Sequence, residues 1–105
     1  MNRGDVYLIN LNPTNGSEQQ GVRDCVVVSP DSMNQQLNTV IVVPLTTKCK
    51  DWPTRVNTCF KNILGQAICE QIRTVDKIRL IKLRGTLLLT EINEIKLVLK
   101  QMLYE

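Results

Sequence analysis

Three short polar stretches and one basic run hold the residue types that can handle a phosphate. They are Glu18-Gln19-Gln20-Gly21-Val22-Arg23-Asp24, Thr46-Thr47-Lys48, Glu70-Gln71-Ile72-Arg73-Thr74, and the cluster Arg73, Lys77, Arg79, Lys82 and Arg84. Arginine forks onto phosphate oxygens, and Gln, Glu and Thr hydrogen-bond base edges. The same groups stabilise negative charge as it develops on a phosphorus centre. Other chemistries lack their parts. The chain has no histidine, so neither a Ser-His-Asp nor a Cys-His arrangement is available. No G-x-x-x-x-G-K phosphate loop occurs, and no carboxylate cluster has the look of a metal cage. Taken singly, each stretch also has a plain reading as a solvated loop, a turn or a polar strand face.

These residues need a scaffold, and the composition supplies one. The 105 residues are 43% hydrophobic and 22% charged, which favours one folded domain spanning residues 1–105 over disorder. The net charge of +3 permits an anionic partner without demanding one. Only Tyr7, Trp52, Phe60 and Tyr104 are aromatic, too few for a broad base-stacking platform. Cys25, Cys49, Cys59 and Cys69 form no C-x-x-C pair, so a zinc site is not expected. Cys25 and Cys69 lie in apolar runs, where a free thiol behaves as a small hydrophobe. The opening MNRGDVYLINLNP is not built like a signal peptide, and no apolar run is long enough to span a membrane. A cytoplasmic protein is the expectation.

Short strands dominate the pattern. Val6 to Leu11 is a β-type run, ended by the turn cluster Asn12-Pro13-Thr14-Asn15-Gly16. GSEQQGVRDC, residues 16 to 25, reads as a loop that brings Arg23 to the head of an apolar run. Cys25 to Ser29 and Val40 to Val43 read as strands buried on both faces, stopped by Pro30 and Pro44. Asp31 to Asn34 is expected to cap one helical turn. Residues 46 to 54 form a polar loop. Arg55 to Phe60 and Gln66 to Cys69 are strands separated by Asn62 to Gly65, and Ile72 to Val75 and Arg79 to Arg84 follow. The period then changes. Thr90 is a plausible N-cap, Glu91 suits a first turn, and Ile92, Ile95, Val98, Leu99, Met102 and Leu103 make one apolar helical stripe. Many short strands before one helix predict an α+β fold that is mainly β: a bent sheet or small barrel with a helix packed on it.

The ordered motifs resemble a known family. RGDVYLINLNPTNGSEQQGVR is similar to a Gly-Asp strand followed by P-x-x-G-S-E-Q-x-G-x-R. VIVVPLTT resembles a strand ending in threonine or serine, and ICEQIRTVDKIRL resembles an acidic-Gln-Ile-Arg-Thr segment with a following D-K-x-R-L. These are features of the MazF/PemK (Kid) toxins of type II toxin–antitoxin systems, and the resemblance covers roughly residues 3 to 103. It implies an SH3-like small β-barrel with a C-terminal helix, assembled as a homodimer. It implies metal-independent, sequence-specific cleavage of single-stranded mRNA, with no cofactor, leaving 2′,3′-cyclic phosphate and 5′-hydroxyl ends. It also implies a cognate antitoxin whose disordered tail fills the RNA groove.

The family's catalytic arginine falls on Arg23 and its catalytic threonine or serine on Thr46, with Thr47 a neighbouring alternative. Gln19, Gln71 and Arg73 would line the groove. Glu70 would accept from a base amine or orient the loop, and Glu18 or a water would share in proton transfer. One position departs: the family usually carries Arg-Pro where this chain has Arg23-Asp24. The carboxylate is expected to compete with phosphate for Arg23. Two other readings remain at this point. One is a toxin of the same fold that binds and poisons DNA gyrase, as CcdB does, although the last helix, LKQMLYE, lacks that group's terminal Trp-Gly-Ile. The other is a catalytically weak binder that only engages its antitoxin.

Overall fold

The structure, a computed structural model, describes residues 1–104. Seven antiparallel strands form one curled sheet: β1 (Asp5–Asn10), β2 (Val22–Val27), β3 (Thr39–Thr46), β4 (Arg55–Phe60), β5 (Ile63–Ile68), β6 (Arg73–Asp76) and β7 (Leu80–Thr86). A short helix, α1 (Asp31–Gln36), precedes β3, and a long one, α2 (Leu89–Tyr104), follows β7. The strand order is β4-β5-β3-β2-β1-β7, and β6 also pairs with β3. This is the expected mainly-β fold, a half-barrel carrying a terminal helix.

Strand β3 organises the curl. Its first half, Thr39 to Val42, pairs with β6, and its last residues, Leu45 and Thr46, pair with β5. Between them Val42, Val43 and Pro44 pair with β2. A strand shared this way is covered on both faces, which is why its sequence is nearly continuous apolar residues rather than an alternation. The two faces bury two cores. One gathers Val6, Val26, Val43, Val56, Ala67, Cys69, Leu87 and Ile95. The other gathers Ile9, Leu11, Cys25, Val27, Val40, Val42 and Val75. Successive β2 residues alternate between them, as period two requires.

Four expected boundaries move. Strand β2 begins at Val22, not Cys25. Strand β3 runs through Pro44 to Thr46. Proline brings no ladder donor, and Pro44 falls between the β6 pairs, which end at Val42, and the β5 pairs, which begin at Leu45. The β4–β5 turn is Lys61-Asn62, both at positive φ, so Ile63 to Gly65 belong to β5 rather than to a loop. Helix α2 begins at Leu89, which puts Thr90 inside it. The Glu91 carboxylate, rather than a threonine cap, accepts from Leu88 N at 3.0 Å. Ile92, Ile95, Val98, Leu99 and Met102 pack on the first core as expected, while Leu103 stays exposed.

Candidate active site

Arg23 is the second residue of β2, and it is not in a mobile loop. Its backbone pairs with Ile9 of β1, and its Nε donates to Gln20 O at 3.1 Å. The guanidinium is therefore carried on a strand whose next residues, Cys25 to Val27, are fully buried in the cores. Thr46 closes β3 and is 8% exposed. Its Oγ1 accepts from Lys48 N at 3.1 Å, which leaves the hydroxyl proton unused by that bond. Arg23, Thr46 and the exposed Thr47 line one open cleft of about 370 Å³. Arg23 and Thr46 lie far apart in sequence and meet there because β2 and β3 are neighbours.

Gly65 fixes how deep Thr46 sits. A Cβ at this position would lie 2.4 Å from Thr46 O. Only the absence of a side chain lets β5 come this close to the end of β3. Thr58, on β4, lines the same cleft from beyond Gly65.

The remaining expected site residues gather elsewhere. Glu18, Gln19, Glu70, Gln71 and Arg73 line, with Pro44, a separate depression of about 180 Å³. Gln71 ties the 11–21 connection to the sheet: its Oε1 accepts from Gln19 N at 2.6 Å, and its Nε2 donates to Ser17 O at 3.2 Å. Glu18 accepts from Asn15 N at 3.2 Å and shapes the turn before it. Arg73 reaches Leu11 O at 3.5 Å. The Gln19 Oε1 is buried without a hydrogen-bond donor among the described residues. Glu70 accepts from Thr54 Oγ1 at 2.8 Å and from Arg55 Nε at 2.9 Å. Burial works to raise its pKa, but the hydrogen bonds from Arg55, its own backbone and Thr54, with the Arg55 charge, hold it below its ordinary value. Glu70 and Gln71 thus act on this depression by holding its walls.

Sequence reasoning missed Arg55 and Gln66. The Arg55 side chain is only 6% exposed, bonds to Glu70 and stacks 4.7 Å from the Trp52 ring centre. Gln66 accepts from Lys50 N at 2.9 Å and donates to Lys50 O at 3.0 Å. Together they pin the 47–54 connection that follows Thr46. Their only sequence signal was a polar residue inside a strand.

The basic run does not act as one patch. Lys77 bonds Asn34 O, Arg79 bonds the carbonyls of Asn10 and Asn12, and Arg84 turns into the Arg23 cleft beside Asp24. Asp24 also corrects an expectation: its partner is Arg84, at 3.2 Å, and not Arg23. Cys25 and Cys69 are buried free thiols. Burial, then a neighbouring carboxylate, pushes both up to about 12, so neither supplies a thiolate nucleophile at neutral pH. No helix among the described residues is long and apolar enough to cross a membrane.

Residues 2–103 match the family described as PemK-like, MazF-like toxin of type II toxin-antitoxin system. The chain is 43% identical to the endoribonuclease MazF of Staphylococcus saprophyticus, over 76% of its own length and 72% of that protein's. Among solved structures, MazF from Deinococcus radiodurans superposes with a TM-score of 0.89 at 22% identity, covering 100% of this chain and 97% of that one. An endoribonuclease from a mycobacterial species, solved with its cognate antitoxin, superposes with a TM-score of 0.84 at 26% identity. It covers 98% of this chain and 94% of its own.

Proposed function

The chain belongs to the PemK-like, MazF-like toxin family of type II toxin–antitoxin systems, and from that premise we propose that the cleft of Arg23 and Thr46 is the active site of a sequence-specific endoribonuclease. The observation that carries this reading is the meeting of Arg23 and Thr46 in one open cleft, each held by a sheet ladder. The substrate is single-stranded RNA. A ribose 2′-oxygen attacks the adjacent phosphorus, the new P–O bond forms, and the bond to the 5′-oxygen breaks. The products are a 2′,3′-cyclic phosphate and a 5′-hydroxyl, with the 2′-hydroxyl proton removed and one delivered to the leaving oxygen.

Charge builds on the non-bridging phosphoryl oxygens in this step. The Arg23 guanidinium meets them with a fork of donors, and the Thr46 hydroxyl adds a further hydrogen bond. A fixed guanidinium does the electrostatic work that a metal ion does in other nucleases, so the reaction needs no metal. A water carries the proton transfer, since Glu18 stands in the other depression with its carboxylate on Asn15 N. Gln19, Thr47, Glu70, Gln71 and Arg73 line the path of the RNA on either side of the scissile phosphate.

Two partners complete the proposal. The chain forms a homodimer, supported by exposed apolar residues on β5 and β7, among them Ile63, Leu64, Ile81 and Leu83. A monomer mass by light scattering at micromolar concentration contradicts this. An antitoxin with an acidic, partly apolar tail occupies the RNA groove and competes with substrate. The Deinococcus radiodurans MazE–MazF structure adds fold likeness only. None of the likenesses supports the gyrase-poisoning alternative.

The test is cleavage of a mixed-sequence single-stranded RNA in the presence of a chelator. Wild type should cut. Arg23→Ala should lose about 3–4 kcal/mol of transition-state stabilisation, two to three orders of magnitude in rate, while keeping its fold. Full activity in Arg23→Ala, or its loss in chelator, contradicts the assignment.

A further inference from the structure

The cleft holds a second arginine, Arg84, which lies outside the three motifs. Strand β7 runs beside β1 with Gly85 opposite Val6 and Leu83 opposite Tyr7. Arg84 lies between them with no β1 partner, so β7 carries one extra residue there. An extra residue of this kind breaks the alternation and re-aims a side chain. Gly85, next to it, has φ +150, and the Phe60 ring lies 3.2 Å from where its Cβ would stand. The bulge is thus clamped from the β4–β5 side, and Arg84 lines the same cleft as Arg23 and Thr46.

Asp24 faces it. Arg84 Nε lies 3.2 Å from Asp24 Oδ1, and the two side chains are 32% and 26% exposed. Charge contact is present, but hydrogen-bond alignment is not: both atoms are buried and neither has a hydrogen-bond partner among the described residues. A half-buried guanidinium with an unmet donor, beside a site shaped for phosphate, is suited to a second anion.

We propose that Arg84 is a second phosphate-binding group of this cleft, taking an RNA phosphate next to the scissile one, and that Asp24 is the internal counter-ion it leaves when RNA enters. The proposal rests on the nuclease reading for the identity of the anion. Arg23 meets the reacting phosphorus; Arg84 sets the register of the strand around it. Asp24 holds Arg84 in the cleft when RNA is absent, and it competes with RNA for the same guanidinium.

The experiment uses the full chain and two probes. One is a short single-stranded RNA of mixed sequence with every ribose 2′-O-methylated, which binds and cannot be cut. The other is the same sequence as ordinary RNA. Affinity for the first is measured over a range of salt concentrations. Arg84→Gln should bind about tenfold more weakly, and the slope of log affinity against log salt should shrink by about 0.7, the share of one phosphate contact. Arg84→Lys should keep the slope, since it keeps the charge, and it stands in should the glutamine variant fail to fold. Asp24→Asn should tighten binding by about fivefold, the range of a weak, partly solvated pair released. On the cleavable RNA the loss in Arg84→Gln should fall on KM rather than kcat.

An unchanged salt slope in Arg84→Gln, or weaker binding by Asp24→Asn, overturns the proposal and leaves the nuclease reading intact. In that case the pair is a fold contact, and both variants lower the melting temperature. A wild type that binds the methylated RNA with an Arg84-dependent slope but leaves RNA uncut overturns the nuclease reading instead. A wild type that does not bind the methylated RNA overturns the Arg84 assignment.

Discussion

The motif reading picks out Arg23 and Thr46, and the fold puts both on the wall of one cleft. The motifs alone could not separate Thr46 from Thr47. The structure places Thr46 at the last ladder position of β3, with the residue 8% exposed, while Thr47 lies beyond the strand and is exposed. A donor that acts on a developing charge works best when its position is fixed in advance. Thr46→Val keeps the shape and removes one hydrogen bond to a charged group, so cleavage should fall by about ten- to a hundredfold. Thr47→Val should cost less. Single-turnover cleavage of one RNA by both variants checks this, and a larger fall in Thr47→Val transfers the role. Asp24 was legible as a departure from the family but not in its consequence. Asp24 lines the same cleft as Arg23, but its partner there, Arg84, depends on a bulge that has no sequence signature. Glu70 and Gln71 were legible only as candidates, and their bonds to Arg55, Thr54 and the 17–19 backbone could not be read from spacing.

Among the elements, runs of β-branched residues and the helical stripe of α2 were readable because period and burial follow from sequence. Turns were less so. Gly65 was expected to help separate two strands, because glycine is the commonest turn signal. The turn instead falls on Lys61-Asn62, and Gly65 lies within β5, opposite Thr58, where β5 closes on the Thr46 carbonyl. The reason for this glycine is a long-range approach, invisible to any local rule. Gly65→Ala would place a methyl carbon 2.4 Å from a backbone oxygen that cannot swing aside. Strand β5 must then retreat from β3, straining the pairs Leu45–Ala67 and Thr46–Gln66. The stability cost should be about 1–3 kcal/mol, as for other overpacked sites. Cleavage should fall further than stability predicts, because Thr46 moves with its strand end. Urea unfolding and cleavage by the same preparation test the two parts. An alanine variant as stable and active as wild type removes Gly65 from the account of the site.

At the scale of the whole molecule, an open sheet has two edges, and an exposed edge invites pairing with other chains. Strand β7, at one end of the order, keeps Ile81 and Leu83 exposed, and this is the end that the proposed homodimer would use. Strand β4, at the other end, is closed by a single side chain. Glu91 is 8% exposed, and its Oε2 accepts from Cys59 N at 2.7 Å while its Oε1 accepts from Leu88 N at 3.0 Å. One carboxylate therefore satisfies an edge-strand donor and the first free donor of α2, and it ties the helix to the sheet it covers. The sequence offered Glu91 only as a first-turn acid, since its second partner lies 32 residues away. Removing the carboxylate takes the acceptor from two partly buried backbone N–H groups, at a net cost of about 0.5–1.5 kcal/mol each. Glu91→Ala should therefore lower unfolding free energy by about 1–3 kcal/mol, a sizeable part of the stability of a domain this size. Glu91→Gln keeps one oxygen and turns an amide toward the other N–H, so its cost should fall between wild type and alanine. Urea unfolding of the three proteins gives the order. If Glu91→Ala unfolds at the wild-type midpoint, the helix is held by Ile92, Ile95, Val98 and Leu99 alone, and the β4 edge needs no acceptor from α2.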